Sequence, residues 1–349
     1  MGDGMSSKRP VVPEGLDRST NQLAVRKDDQ NPSERGTRPS FVLGIVWCAI
    51  GSAFLPLASV FANVLIAFGM TIALAGTKRY EQMVVLPVAL VAATVAALTL
   101  FGVYAIPTTV ISVLGAYALA WATVSGRLRT GVFLLVAIAI GCAGACSDAV
   151  MTSMQGTSVP ELMAQAVDEV VESSMASLDL EGTAAVLEAR DTVLAYWPTM
   201  YFVVGLANAL CALLGTWMGS KASRLPVQEG MIVRYDVPLW VGVVFACGVA
   251  VELLGPRLPL WQEGSAMVGA NMVMCARIAL AQQGLSVLQW RMRGRSVVHP
   301  ARILAVIAAL WLEMSFALAS VVGLLDVAVN FRRLERNRPD LTLRPTRER

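Results

Sequence analysis

Apolar runs as long as a lipid bilayer is thick recur along almost the whole chain, and they exclude most folds open to a polypeptide. The first, Phe41–Gly76, continues for 36 residues, whereas one helix needs about 20 residues to cross a hydrocarbon core of about 30 Å. Pro56 divides it and predicts two helices, Phe41–Leu57 and Val60–Gly76. Further segments of spanning length lie at Met83–Phe101, Thr108–Val124, Gly131–Asp148, Pro198–Gly219, Val237–Leu254, Gly264–Trp290 and Ile303–Val329. No water at that depth bonds to backbone amides, so a run of this kind must satisfy them within a helix. The expectation is an all-α polytopic membrane bundle of eight or nine spans. Residues 41–225 hold six of them around an external insert, 149–195, and residues 237–331 hold the rest. Composition agrees: 15% of the 349 residues are charged, against about a quarter in soluble domains.

The charges are segregated, and this carries orientation. Lys78/Arg79, Arg127/Arg129, Lys221/Arg224 and the group Arg291, Arg293, Arg295 and Arg302 all fall in turns on one side. The positive-inside rule makes that side cytoplasmic, with the N-terminus inside and the inner membrane as location; the pattern is an anchor and not a nucleic-acid footprint. Residues 1–40 are polar without periodicity and read as a disordered cytoplasmic tail. Between Asp148 and Asp191 stand nine acids and one base, Arg190, on the outer side. There Met163, Val167, Val170, Val171 and Leu178 recur at helical spacing and predict an amphipathic helix. Tyr196, Trp197 and Tyr201 read as an interfacial aromatic belt opening the next span.

The last apolar segment does not fit the charge rule as a single crossing. Ile303–Val329 would be about 40 Å long at helical rise, and one crossing would put the basic tail 332–349, with seven arginines, outside. Either it is a long tilted helix, or it breaks near Glu313–Ser315 and returns the tail inward.

Recognisable site chemistry is missing. The one histidine, His299, sits beside Pro300 with no nucleophile at hand, and HExxH, GxxxxGK[ST] and GxGxxG patterns do not occur. The six cysteines lie in apolar runs without a CxxC pair and read as small buried residues. No enzyme activity, metal or cofactor is expected. What remains is a set of polar side chains inside the spans: Asn208, Glu252, Asn271, Arg277, Gln282, Gln283, Glu313 and Asp326. An Arg or Asp at a helix centre costs about 2.5–3.5 kcal/mol on insertion scales, so these groups should face protein or water. Arg277 and Glu313 lie about 20 and 15 Å from the inner ends of their segments, close enough in level to pair. Asn271 and Gln282 share one face of their helix, with Arg277 and Gln283 about 100–140° to either side. Such a helix has no broad apolar face for lipid and should be interior. Glu252, near an outer helix end, is a poorer match for Arg277. Small-residue spacings at Ala49/Ala53, Gly141/Gly144 and Gly215/Gly219 permit close helix approach.

Two resemblances follow from particular motifs. Gln283-Gly284-Leu285-Ser286-Val287, a basic loop, Gly323-Leu324-Leu325-Asp326 and Asn330-Phe331-Arg332-Arg333 together resemble the signature of YybS-like bacterial membrane proteins. Asp236-Val237-Pro238-Leu239-Trp240 continues that likeness upstream. The first six spans with their external insert are similar to the substrate-binding S components of energy-coupling-factor transporters. Ala49-Ile50-Gly51-Ser52-Ala53 matches their AxxxA docking motif. That likeness implies small-molecule binding without an energy source of its own, and an ATPase-containing coupling module as partner besides the bilayer. A different reading of the same features is a structural or regulatory scaffold working through its tails and outer insert. A cavity inside the bundle favours the first, a void-free bundle the second.

Overall fold

A computed structural model of the chain describes residues 41–55, 57–76, 82–175, 180–225, 235–257, 264–293 and 297–332. The tail 1–40, Lys78, Arg79, Arg295 and Arg333 lie outside the described residues. Within them all regular structure is helical. The helices are α1 (Phe41–Phe54), α2 (Ser59–Gly76), α3 (Gln82–Phe101), α4 (Ile106–Val124), α5 (Thr130–Met154), α6 (Val159–Met175), α7 (Leu180–Ala195), α8 (Trp197–Ala222), α9 (Leu239–Leu254), α10 (Ser265–Arg293), α11 (His299–Phe316) and α12 (Leu318–Val329).

Two interior helices organise the fold. α2 is apolar all round, which suits a helix buried on every side, and it packs chiefly against α1, α8 and α4. Ile66, Met70, Ile72 and Leu74 on it are fully buried. The close approaches use glycine. Gly44 of α1 sits against the backbone of Gly69 and Ala73, and Gly215 and Gly219 of α8 sit against Val64, Phe68 and Thr71. A side chain at any of these would strike the facing helix, so small residues set the interhelical distance. Ala49 and Ala53, by contrast, are only half-buried, and Gly144 meets just the Tyr201 ring. α3 joins the bundle through a stripe of Val85, Ala89, Ala93 and Ala97 at one-turn spacing, its other faces exposed as suits lipid.

The second interior helix is α10, packed against α9 and α12 and, less extensively, α8 and α11. From Gly269 to Gln289 none of its residues is exposed, as its scattered polar groups predict. Gly269 and Gly248 let α9 close on it; Gly284 and Gly323 bring α12 against its backbone.

Five helical segments are long and apolar enough to cross a membrane, and six if the bent pair α11–α12 forms one span. That is fewer than the eight or nine expected. α1 has only 14 residues, the apolar part of α2 is Phe61–Ala75, and α10, though 29 residues long, carries the polar set. Length and apolarity underestimate helices that face protein.

α6 and α7 form a hairpin packed mainly on itself. A reciprocal cap opens it: the Ser158 N–H donates to Glu161 Oε2 (2.9 Å) and the Glu161 N–H to Ser158 Oγ (3.4 Å). Arg190 ties the two helices through Asp168 (2.6 Å) and also pairs with Asp191 (3.0 Å). Its guanidinium holds the Asp168 carboxyl below the usual range. Of the predicted apolar face, Val171 is buried, Met163 and Val167 are half-buried, and Val170 is exposed; the Leu178 position lies outside the described residues.

The last apolar segment is broken. Ala317 adopts the left-handed conformation (φ 53°, ψ 26°) and the chain bends by 96° between α11 and α12. The break falls just beyond the predicted Glu313–Ser315 turn and involves neither Gly nor Pro. α12 then runs back, and Arg332 donates to the Tyr235 carbonyl (2.7 Å) in the α8–α9 connector. The next residue of that connector, Asp236, bonds to Thr130 at the start of α5 (3.3 Å). Arg332 therefore lies at the same end of the bundle as the α4–α5 turn, which carries Arg127 and Arg129. In a chain cleared of its six native cysteines, Ser125→Cys and Phe331→Cys should react with an impermeant thiol reagent from the same side. Met154→Cys should react from the opposite side. Labelling of positions 125 and 331 from opposite faces would contradict the returned α12.

Candidate functional site

Three polar systems and one cleft surround α10. The first is the pair foreseen from matched depth. Arg277 Nε lies 2.9 Å from Glu313 Oε1, and a second guanidinium nitrogen donates to the Glu313 carbonyl (2.7 Å). Glu313 is also bound to the start of α12: the Ser320 N–H donates to Oε2 (2.8 Å) and Ser320 Oγ to Oε1 (2.6 Å). A carboxylate at a helix N-terminus satisfies donors that no intrahelical carbonyl reaches and faces the positive end of the dipole. Its carbonyl also accepts the Ala317 N–H (3.0 Å). Glu313 thus closes α11 and opens α12, with Arg277 holding both ends of that junction.

The second system is buried and was not foreseen. Asp326 and Arg332 form an ion pair of 2.9 Å with side chains 1% and 0% exposed. Gln283 joins them, its Nε2 donating to Asp326 Oδ2 (2.7 Å) while its Oε1 accepts the Val237 N–H (3.0 Å). Arg332 reads in the sequence as the first residue of a basic tail, yet it is part of the bundle interior. Asn330, left-handed at φ 54°, turns the chain so that it reaches back. Nearby Tyr235 is buried, its hydroxyl without a hydrogen-bond partner among the described residues, and burial pushes its phenol above the ordinary range. The motif residues Gly284, Gly323, Asp326, Asn330 and Arg332 converge here on one helix crossing.

In the third system Asn271 uses its whole amide. Oδ1 accepts from the Thr199 N–H (3.0 Å) and Thr199 Oγ1 (2.7 Å), and Nδ2 donates to the carbonyls of Ala195 (2.9 Å) and Met267 (2.8 Å). It caps the N-terminus of α8 from a separate helix and joins the two halves of the bundle. The remaining predicted residues lie elsewhere. Asn208 accepts a bond from buried Asn63 (2.7 Å) at the α2–α8 contact. Gln282 is half-buried on α10, and Glu252 is exposed near the end of α9, away from Arg277. Asn63 stands out as an amide in an apolar run and could have been found; Thr199 and Ser320 carry no such signal, because hydroxyls in membrane helices ordinarily bond their own backbone.

Between α5, α8, α9 and α10 lies a partly open cleft of about 660 Å³. Its lining is almost wholly apolar and rich in rings and sulfur: Trp197, Tyr201, Phe202, Trp240, Met267, Met272, Cys142 and Cys275. The lining runs from Met267 to Ala279 on α10 and from Leu134 to Ala145 on α5, a length of about 16–18 Å at helical rise. The lining ends on one side at Ala279 and Val241, the floor end, and the Gln283–Val237 bond lies one helical turn further on. At the other end Trp197 stacks edge-on to Tyr201 (6.1 Å), whose hydroxyl donates to Asp148 Oδ2 (2.7 Å). The cysteines correct one expectation. Only Cys48 is buried, while Cys142, which lines the cleft, and Cys146 and Cys247 are exposed; apolar surroundings outside the core accept a thiol as readily as a core does.

Glu313→Ala leaves Arg277 without its partner and should lower stability in detergent by on the order of 3 kcal/mol. Adding Arg277→Ala should restore part of that loss, read as thermal midpoints in a double-mutant cycle; simple additivity would show the two groups uncoupled. No family model, curated protein or solved structure matches this chain.

Proposed function

We propose that this integral membrane protein binds a small apolar or amphipathic molecule in the cleft between α5, α8, α9 and α10. The cavity itself carries the reading. A void-free bundle would favour a purely structural scaffold, whereas this one holds a space of about 660 Å³, within the size range of small-molecule sites. Aromatic and thioether side chains give such a site adaptable, polarisable walls. The cleft belongs to the junction of the six-span half with the C-terminal helices, so those helices complete the site and are not an appendage to an S-component-like core. Transport, an ATPase-containing coupling module and placement of the basic end in the cytoplasm of the inner membrane are parts of the same proposal. The first rests on the cavity, the second on the S-component likeness, and the third on the one-sided arginines.

Benzophenone, a neutral photoreactive probe, tests the site on protein in phosphatidylcholine nanodiscs. Peptide mapping should place the label on Met267, Met272 or Tyr201. Ala145→Trp, or Val244→Trp from the facing helix, should reduce it at least about tenfold by filling the space. Labelling spread over the lipid-facing helices, unchanged by either substitution, would leave the scaffold reading in its place.

A further inference from the structure

The two ends of the cleft differ in chemistry, and the difference selects among amphipathic ligands. Toward the floor the polar side chains are committed to one another: Gln283 to Val237 and Asp326, and Asp326 to Arg332. At the mouth stands a carboxylate. Asp148 is exposed, and it follows Gly141 and Ala145 at the i, i+4, i+7 spacing that places all three on one stripe of α5. Gly141 and Ala145 line the cleft, and Asp148 accepts the hydroxyl of the lining residue Tyr201. The described part of the connection from α5 to α8 adds Glu161, Asp168, Glu169, Glu172, Glu188 and Asp191 against one base, Arg190. The electron-rich rings of Trp197 and Tyr201 line the cleft, and Tyr201 is hydrogen-bonded to the carboxylate itself. A cation at the mouth would meet Asp148 and these rings together, and an aromatic or aliphatic body would fill the apolar length below.

Resting on the binding reading above, we infer that the ligand is a lipophilic cation, seated with its charge at Asp148 and its apolar body toward Trp240. An anionic amphiphile is disfavoured by the same carboxylate. A neutral one gains the apolar walls but nothing from the mouth.

The test pairs benzophenone with its cationic analogue, (4-benzoylbenzyl)trimethylammonium, on the full chain in phosphatidylcholine nanodiscs at low salt. The readout is the ratio of the two half-maximal labelling concentrations at cleft peptides. The cation should label at about tenfold lower concentration, and Asp148→Asn should reduce that preference about fivefold, consistent with one partly screened charge contact. Asparagine retains an acceptor for Tyr201, so the packing at the mouth is kept. Glu172→Gln, on the exposed α6, should leave the ratio unchanged, which separates a local contact from general surface charge. Equal labelling by both probes, or a preference that ignores Asp148→Asn, overturns the cation inference while the cleft remains a binding site. Absence of cleft labelling by either probe, on protein that stays monodisperse, overturns both.

Discussion

The C-terminal half depends on one carboxylate that serves two helix ends. A bend of 96° inside an apolar segment frees the last carbonyls of α11 and the first amides of α12, and in hydrocarbon each unsatisfied group would cost several kcal/mol. Glu313 meets part of that penalty locally, its carbonyl taking Ala317 and Arg277 and its carboxylate taking the Ser320 amide. The left-handed Ala317 is itself unfavourable by about 1–2 kcal/mol, so the turn exists because its bonds outweigh that strain. With the bend in place α12 crosses α10 at the Gly284–Gly323 contact, and Asp326 and Arg332 come within reach of Gln283. A straight α11–α12 helix would carry Asp326 away from all of them.

The cleft follows from how unequally the two interior helices are enclosed. α2 meets α1 and α8 through glycines, so backbones touch and little space remains between them. α10 meets α8 less extensively, through the amide of Asn271 bonded to Thr199 and Ala195. The rings of Trp197, Tyr201, Phe202 and Trp240 line the space left between the halves. The polar bonds at both limits fix the separation, which a purely apolar contact would tend to close.

Much of the helical layout was legible from apolar runs alone, and most boundaries fall within a few residues of those expected. The interior position of α10 was legible because polar groups on several sides of one helix leave no face for lipid. The Arg277–Glu313 contact was legible from depth, since two opposite charges at one level in hydrocarbon have few other partners. Arg332 was not: an arginine at the edge of a basic run looks like its neighbours, and only the left-handed turn at Asn330 takes it inward. The break at Ala317 was one of two alternatives the sequence left open, because its position lacks Gly or Pro and is set by bonds made to other helices. The cleft left no mark in the sequence, because its walls come from four helices whose lining residues are as apolar as those that meet lipid.

The floor of the cleft bears on what the molecule can do with a ligand. A path through to the basic end would have to separate Gln283 from the Val237 amide and move α12, exposing the buried Asp326–Arg332 pair. Uncoupling such a pair costs on the order of 3–5 kcal/mol when one partner is lost, more than thermal motion supplies often. The mouth, by contrast, is marked by the exposed carboxylate of Asp148, bonded to Tyr201, so access there requires no buried ion pair to break. On the proposed reading, binding from the acidic end therefore needs nothing beyond this chain. Passage to the other side would first have to open the buried bonds of Gln283 and Asp326.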